Sequence, residues 1–529
     1  MAIPVRTRRI SSSRASGTGD HIVATGHTEE HLIGDASGLT SNRRDFLRAT
    51  KWSFIARAGG QSASLVIGVA LAALIGPESY GIVVMALAYI QAFEVLQRQG
   101  IVDALIQRRD LNHEHASTAF WLVLAVSLLM TVVSAALAGW WSGVVDLPLL
   151  QPVIIALSGM LPLMALIVVQ EALLSRRMEF KKLTLRTSVG VLVGGAAAVT
   201  VAVVEPSVWA LVVYQLTSNL VSVLFLWGSS SWRPRLSFSF AALRDLLGFS
   251  NGSFLTQLAL FANNSGDALI IGLFFGPTTV GVYRLAGRLV DAFIGFAIVP
   301  LNALVLPELS PFQHRPDLFR ERLRRLNRLR GLVALPLLGV AVAAADPVIR
   351  VLGPAWSNAV LPLRLLCIIA AIHVVVGLVN MMLEALGRPY LSAGIVSLLA
   401  ASSVVALMLP ALLVGTAPLA QQVVVLALSK VALLGPVFLL SHFVIIRRFV
   451  NVSIRSWLAV FVAPAIAGGM AIMTGVGVTW VADAHGWALA VHIPMVVVAS
   501  VIVAGTVLVT LDRQLQRELW QLVQRRSLA

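Results

Sequence analysis

Long apolar stretches, most of them twenty residues or more, follow one another from Trp52 to Leu511 with only short polar breaks between them. A bilayer-crossing helix needs about 20 mostly apolar residues. In lipid such a segment must satisfy its own backbone, which a helix does. Fourteen spans are expected, near 52–75, 81–103, 118–143, 150–173, 184–204, 207–228, 249–275, 279–306, 330–345, 358–386, 389–415, 418–441, 456–481 and 487–511. The fold class is therefore an all-α polytopic membrane protein. Only 12% of the residues are charged, about half the share usual in soluble domains.

The charges test this count. Lys and Arg cluster in alternate breaks: around Arg108, in RRMEFKK from Arg176, in WRPR from Trp232, in HRPDLFRERLRRLNRLR from His314, and in RRFVNVSIR from Arg447. Thirty-four of the 40 Lys/Arg residues fall on this side or in the termini, and Arg350 alone lies in a break on the other side. Positive segments stay in the cytoplasm, so both termini are expected there. The same pattern explains a pI near 11.2 without any nucleic acid. Residues 1–50 are rich in Ser, Gly and Arg, the composition of a disordered cytoplasmic tail, and no signal peptide is expected. Two basic segments carry apolar residues at helical spacing: Phe319, Leu323, Leu326 and Leu329, and, near the C-terminus at the 512–529 amphipathic tail, Leu511 just before it with Leu515, Leu519 and Leu522. They read as helices lying on the membrane surface, or as plain connectors. The single cysteine, Cys367, allows no internal disulfide. His113-Glu114-His115 reads as a hydrated loop, and no metal or cofactor is expected.

One phrase occurs twice. GPESYGIVVMALAYIQAF from Gly76 and GPTTVGVYRLAGRLVDAF from Gly276 share Gly-Pro-x-x-x-Gly at an offset of 200 residues, and Ala86, Ala92 and Phe93 match Ala286, Ala292 and Phe293. Six spans separate the copies, so both have the same orientation. Such parallel repeats are related by an axis along the membrane normal, with the substrate path between the halves. The expected organisation is an N-lobe over 51–232, a C-lobe over 249–446, and an extra helix pair over 456–511. Glycine and proline serve the turn between the first two helices of each half.

The copies differ in charge. Where the first has Val84, Ala88 and Gln91, the second has Arg284, Arg288 and Asp291, at i, i+4 and i+7 on one helix face. A cation at bilayer depth costs about 2.5–3.5 kcal/mol on the insertion scale and usually faces a cavity or a partner. Arg57, Arg284, Arg288, Arg364 and Lys430 are thus candidates for a cavity that holds an anion. Asn263 and Asn264 would add polar lining, and Asp267 or Asp291 could couple transport to a proton or sodium ion. Plainer roles exist. Arg288 could pair with Asp291, and Arg57, Arg284 and Arg364 could snorkel to the head groups.

The stretches LIGPESYGIVVMA from Leu74, GIVDALIQRRDLNHEHASTAFWL from Gly100, LLSRRMEFKKL from Leu173, GFSNGSF from Gly248, NNSGDALIIGLFFGPTTVGVYRLAGRLV from Asn263 and VLPELS from Val305 carry a resemblance over roughly 50–511. The chain resembles the Wzx-type polysaccharide flippases of the MOP exporter superfamily, in their lipopolysaccharide and exopolysaccharide branch. The resemblance implies a non-enzymatic transporter of the bacterial inner membrane. It would move undecaprenyl-pyrophosphate-linked oligosaccharide from inner to outer leaflet by alternating access, beside glycosyltransferases and a glycan polymerase. By segment, it implies that Arg57 and Arg284, with Arg288 beside it, hold the pyrophosphate. A cation-coupled multidrug antiporter of the same superfamily is the alternative, although it would favour an acidic cavity. A membrane glycan polymerase or ligase is a further one, but no acid/base pair is evident.

Overall fold

The computed structural model describes residues 43–98, 105, 111–247, 257–258, 261–262, 265–414, 417–512 and 515–517, with side chains from Gly60 onward except at 61, 98 and 245–247. Among these residues eleven helices are long and apolar enough to cross a membrane, or twelve if one bent pair is a single span. The first is α1, Arg43–Arg98. Then come α2, His113–Val144; α3, Leu150–Arg176; α4, Phe180–Val204; and α5, Val208–Ser229. A short α6, Phe240–Leu247, precedes α7, Gly266–Phe275, and α8, Pro277–Ala297. The chain continues through α9, Pro316–Leu352; α10, Val360–Val376; α11, Pro389–Val414; and α12, Leu419–Val450. It closes with α13, Val462–Ala484, and α14, Leu489–Leu511.

The first two expected spans appear as one helix, but the backbone breaks inside it. Gly76 has φ 79° and ψ 170°. Its counterpart Gly276, between α7 and α8, has φ 81° and ψ 176°. Only glycine adopts this region freely, and each is followed by a proline that starts the next helix, where its missing N–H costs nothing. The first half of the repeated phrase is thus a sharp break made the same way twice. Part of the seventh expected span, 249–275, lies outside the described residues, and α7 is its described end.

The glycine that closes each Gly-Pro-x-x-x-Gly frame has a different task. A Cβ on Gly81 would stand 1.8 Å from the Pro277 carbonyl oxygen, and one on Gly281 would stand 2.0 Å from the Pro77 carbonyl oxygen. Each copy presses its bare backbone onto the other, and the contact is reciprocal, as across a two-fold axis. Nearby, Tyr80 meets Trp356 edge-on at 5.7 Å. The indole N–H of Trp356, fully buried, donates to the Ala72 carbonyl at 3.2 Å. At this end of the bundle the two halves are sealed by backbone-close packing.

Three expectations change. The segment from Phe319 to Leu329 does not lie apart on a surface. It is the beginning of α9, which runs unbroken for 37 residues, and Phe319, Leu323 and Leu326 are buried in the protein while Leu329 is exposed. The break expected around 346–358 is mostly helix, with Arg350 paired to Asp346 at 2.6 Å and Asp483 at 2.6 Å. His113-Glu114-His115 is not a loop. It opens α2, capped by the Asn112 side chain, which accepts from the His115 N–H at 2.9 Å, as short polar residues do at helix N-termini. Of the C-terminal leucines, Leu515 packs beside α9, α13 and α14, and Leu519 and Leu522 lie outside the described residues. Asp512 holds Arg328 by a two-point contact at 2.7 and 3.0 Å.

Candidate functional site

The site is built around α8, which packs along α1. Arg288 reaches from one half into the other. Its terminal nitrogen donates to the Ser64 carbonyl at 3.1 Å, with the Ser64 hydroxyl at 3.4 Å. The guanidinium lies over Gly68, whose added Cβ would stand 2.7 Å from it. So α1 offers a glycine where the cation lies and a serine where it ends. Arg288 does not pair with Asp291, three residues on, because its side chain is drawn across to Ser64 of α1. Asp291 is exposed.

Asp267 organises the second group. It is 5% exposed, at the start of α7. One Arg284 nitrogen donates to both its oxygens, at 2.9 and 3.1 Å, and Lys430 Nζ stands 3.7 Å from Oδ2. Lys430 also lies 5.6 Å from the Tyr283 ring centroid. A carboxylate stripped of water is tolerable only with such partners. Lys430 begins a five-residue π-helical stretch, Lys430–Leu434, whose wide turn alters the direction of the side chains beyond an ideal α-helix. Three cations therefore face two carboxylates here, and Arg288 is the cation whose described partners are neutral.

The other candidates divide. Arg57 lies in α1, but its side chain falls outside the described residues, as do Asn263 and Asn264. Arg364 is half-buried on α10 and makes no ion pair with Asp267. Gln91, aligned with Asp291, hydrogen-bonds Ser265 across the halves.

A further part of the site had no motif to announce it. A cavity of about 390 Å³ is lined by Ser64, Glu171, Ser175, Thr184, Arg186, Thr187 and Ser188, with Gly60, Phe180, Leu183 and Val191. Ser64 belongs both to this wall and to the Arg288 contact. Arg186 pairs with Glu171 at 3.2 Å. Thr184 and Thr187 donate back to helix carbonyls at 2.9 and 3.2 Å, so each hydroxyl's proton is used within α4 and its oxygen can still accept. The signal was the density of hydroxyls on α4 inside an apolar chain. It is weak because Ser and Thr back-bond within membrane helices without any guest.

The arrangement sets cations beside hydroxyls where the two halves meet. A family model described as "Polysaccharide biosynthesis protein" matches residues 70–361, more than half of the chain. The chain belongs to this family. It is a membrane transporter of the Wzx and MOP type, serving polysaccharide biosynthesis, and not an enzyme. It is 27% identical over 365 residues to the lipopolysaccharide biosynthesis protein WzxC of Escherichia coli, covering 66% of this chain and 71% of that one. It is 24% identical over 321 residues to the succinoglycan biosynthesis transport protein ExoT of Rhizobium meliloti, covering 60% and 65%. Among solved structures, the lipid II flippase MurJ in an inward closed conformation superposes with a TM-score of 0.67 at 11% identity, over 87% of this chain and all of that one. An inward-facing multidrug MATE transporter of the MOP superfamily gives 0.52 at 16%, over 75% and 94%. At these identities the structural matches show a shared fold.

Proposed function

We propose that this transporter carries an oligosaccharide linked through pyrophosphate to undecaprenol from the inner to the outer leaflet of a bacterial inner membrane. The observation that carries the reading is Arg288, a cation from the second half seated on Gly68 and Ser64 of the first, beside a hydroxyl-lined cavity. In this reading both termini are cytoplasmic, and fourteen crossings form two six-helix lobes plus the pair α13 and α14. The end sealed by Gly81 and Gly281 faces outward.

The chemistry follows from charge. Arg288 offers its guanidinium to the pyrophosphate, the kind of planar donor that meets phosphate oxygens two at a time. Sugars next to the phosphate take the cavity of Ser175, Thr184, Thr187 and Ser188, while the polyprenyl chain stays in lipid. Arg284 and Lys430 are partly neutralised by Asp267, so they steer more than they bind. An arriving anion competes with Asp267 for them. That competition loosens the contact between α7, α8 and α12 and gives the halves a reason to rock. Asp291, exposed and unencumbered by Arg288, is the better of the two carboxylates for ion coupling. Arg57 and Arg364 remain secondary candidates.

Complementation of a flippase-null strain tests this. Wild type restores polysaccharide at the surface, and Arg288→Ala does not at equal membrane levels. Full rescue by Arg288→Ala removes this residue from the site.

A further inference from the structure

A second recess lies at the end of the bundle remote from Gly81 and Gly281. It holds about 290 Å³ and is walled by the first turns of α9, through Arg320, Glu321, Leu323, Arg324 and Asn327, and by the chain between α12 and α13, through Ser456 and Trp457. Three features set it apart from a solvated crevice. Asn327 lines it at 2% exposure, and neither its amide nitrogen nor its oxygen has a hydrogen-bond partner among the described residues. A buried amide that donates and accepts nothing is rare without a guest or an ordered water. One turn deeper in α9, Arg330 is 3% exposed, and its Nε and one terminal nitrogen are likewise unpartnered. At the mouth, Arg324 is exposed, and Arg320 is braced by the Val450 carbonyl at 2.7 Å and paired with Asp317 at 3.0 Å, so Arg324 is the rim's stronger positive charge.

We propose that this recess binds a phosphate ester carrying a small polyol, of the kind found in a phosphoglycerol head group. The cations at the rim and the buried Arg330 behind supply the positive field. The Asn327 amide N–H donates to a phosphate oxygen, and its carbonyl accepts from a polyol hydroxyl. Glu321 lines the same rim. A lone phosphate gains nothing from a carboxylate there, whereas a polyol hydroxyl donates to it. The ligand comes either from a membrane lipid or from a free phosphate ester in solution. The recess is separate from Arg288 and its cavity, so it stands or falls independently of the transport reading.

The full chain is purified and studied by native mass spectrometry with phosphatidylglycerol or phosphatidylcholine of equal acyl chains, and with soluble glycerol 1-phosphate in phosphatidylcholine alone. Asn327→Leu and the exposed Arg324→Gln are compared with wild type, with melting temperatures recorded. Wild type is expected to retain phosphatidylglycerol about tenfold better than phosphatidylcholine, the scale of one charge-assisted hydrogen bond. Each variant brings the ratio close to one. Binding of glycerol 1-phosphate to wild type but not to the variants, without a lipid preference, assigns the site to a free phosphate ester. If neither ligand distinguishes wild type from Arg324→Gln and Asn327→Leu, the recess holds water only and the proposal is wrong.

Discussion

A side chain placed at Gly81 should pry the two halves apart. The Cβ of any other residue would lie 1.8 Å from the Pro277 carbonyl oxygen, where 3.4 Å begins ordinary contact, so the helices must separate by about 1.6 Å at that point. The atom in the way is backbone and cannot swing aside. Overpacking of this kind costs about 1–3 kcal/mol, and it falls only on the state in which the copies touch. A bias of that size shifts a two-state population by a factor of about 5–150. The assay is a spin-label distance between Glu78→Cys and Thr278→Cys, in the helical turns just after the two glycine breaks, in a Cys367→Ala background. Gly81→Val and Gly281→Val should convert a short distance into a longer one in folded protein. Gly287→Ala is the control, because its Cβ would meet nothing within 4 Å. Should Gly81→Val remain folded with an unchanged distance distribution, the contact is not what closes this end.

Other consequences are simpler. Gly68→Ala should displace the Arg288 guanidinium, whose flexible end can move, so complementation falls while the melting temperature changes little. Asp267→Asn leaves Arg284 and Lys430 facing each other without their counter-charge and should cost about 3–5 kcal/mol, as broken buried pairs do, seen as a large drop in thermal stability that Lys430→Met partly restores. Trp356→Phe removes the indole N–H from the Ala72 carbonyl and should cost about 0.5–1.5 kcal/mol, with the spin-label distance broadening in the same direction as Gly81→Val.

The membrane architecture was legible because the bilayer imposes a length and a polarity on every crossing, and both are local. The glycine breaks were legible because a backbone at positive φ selects its residue. What could not be read was partnership. Asp267 and Lys430 are 163 positions apart, and Arg288 and Ser64 are 224 apart, and nothing in the spacing of α8 says which neighbour its arginines will find. The segment from Phe319 misled for another reason. Apolar residues at helical spacing among arginines describe equally a helix on lipid and a helix docked on protein with its charges outward, and only packing separates the two. His113-Glu114-His115 read as a loop because its polarity outweighed Asn112, a capping residue in plain sight.

The π-helical stretch at Lys430 has a consequence for how this chain can change. Such a stretch is equivalent to one residue too many in an α-helix, so everything beyond it in α12 is turned by about 100° relative to an uninterrupted helix. A deletion of a single residue between Val431 and Leu434 would give a more regular backbone. It would also re-aim Phe438 and His442, now buried against α10, away from their present neighbours. The irregularity therefore acts as a lock on length: α12 tolerates substitutions at many exposed positions, but no change in residue count, because Lys430 and Phe438 must be satisfied from two different registers of one helix.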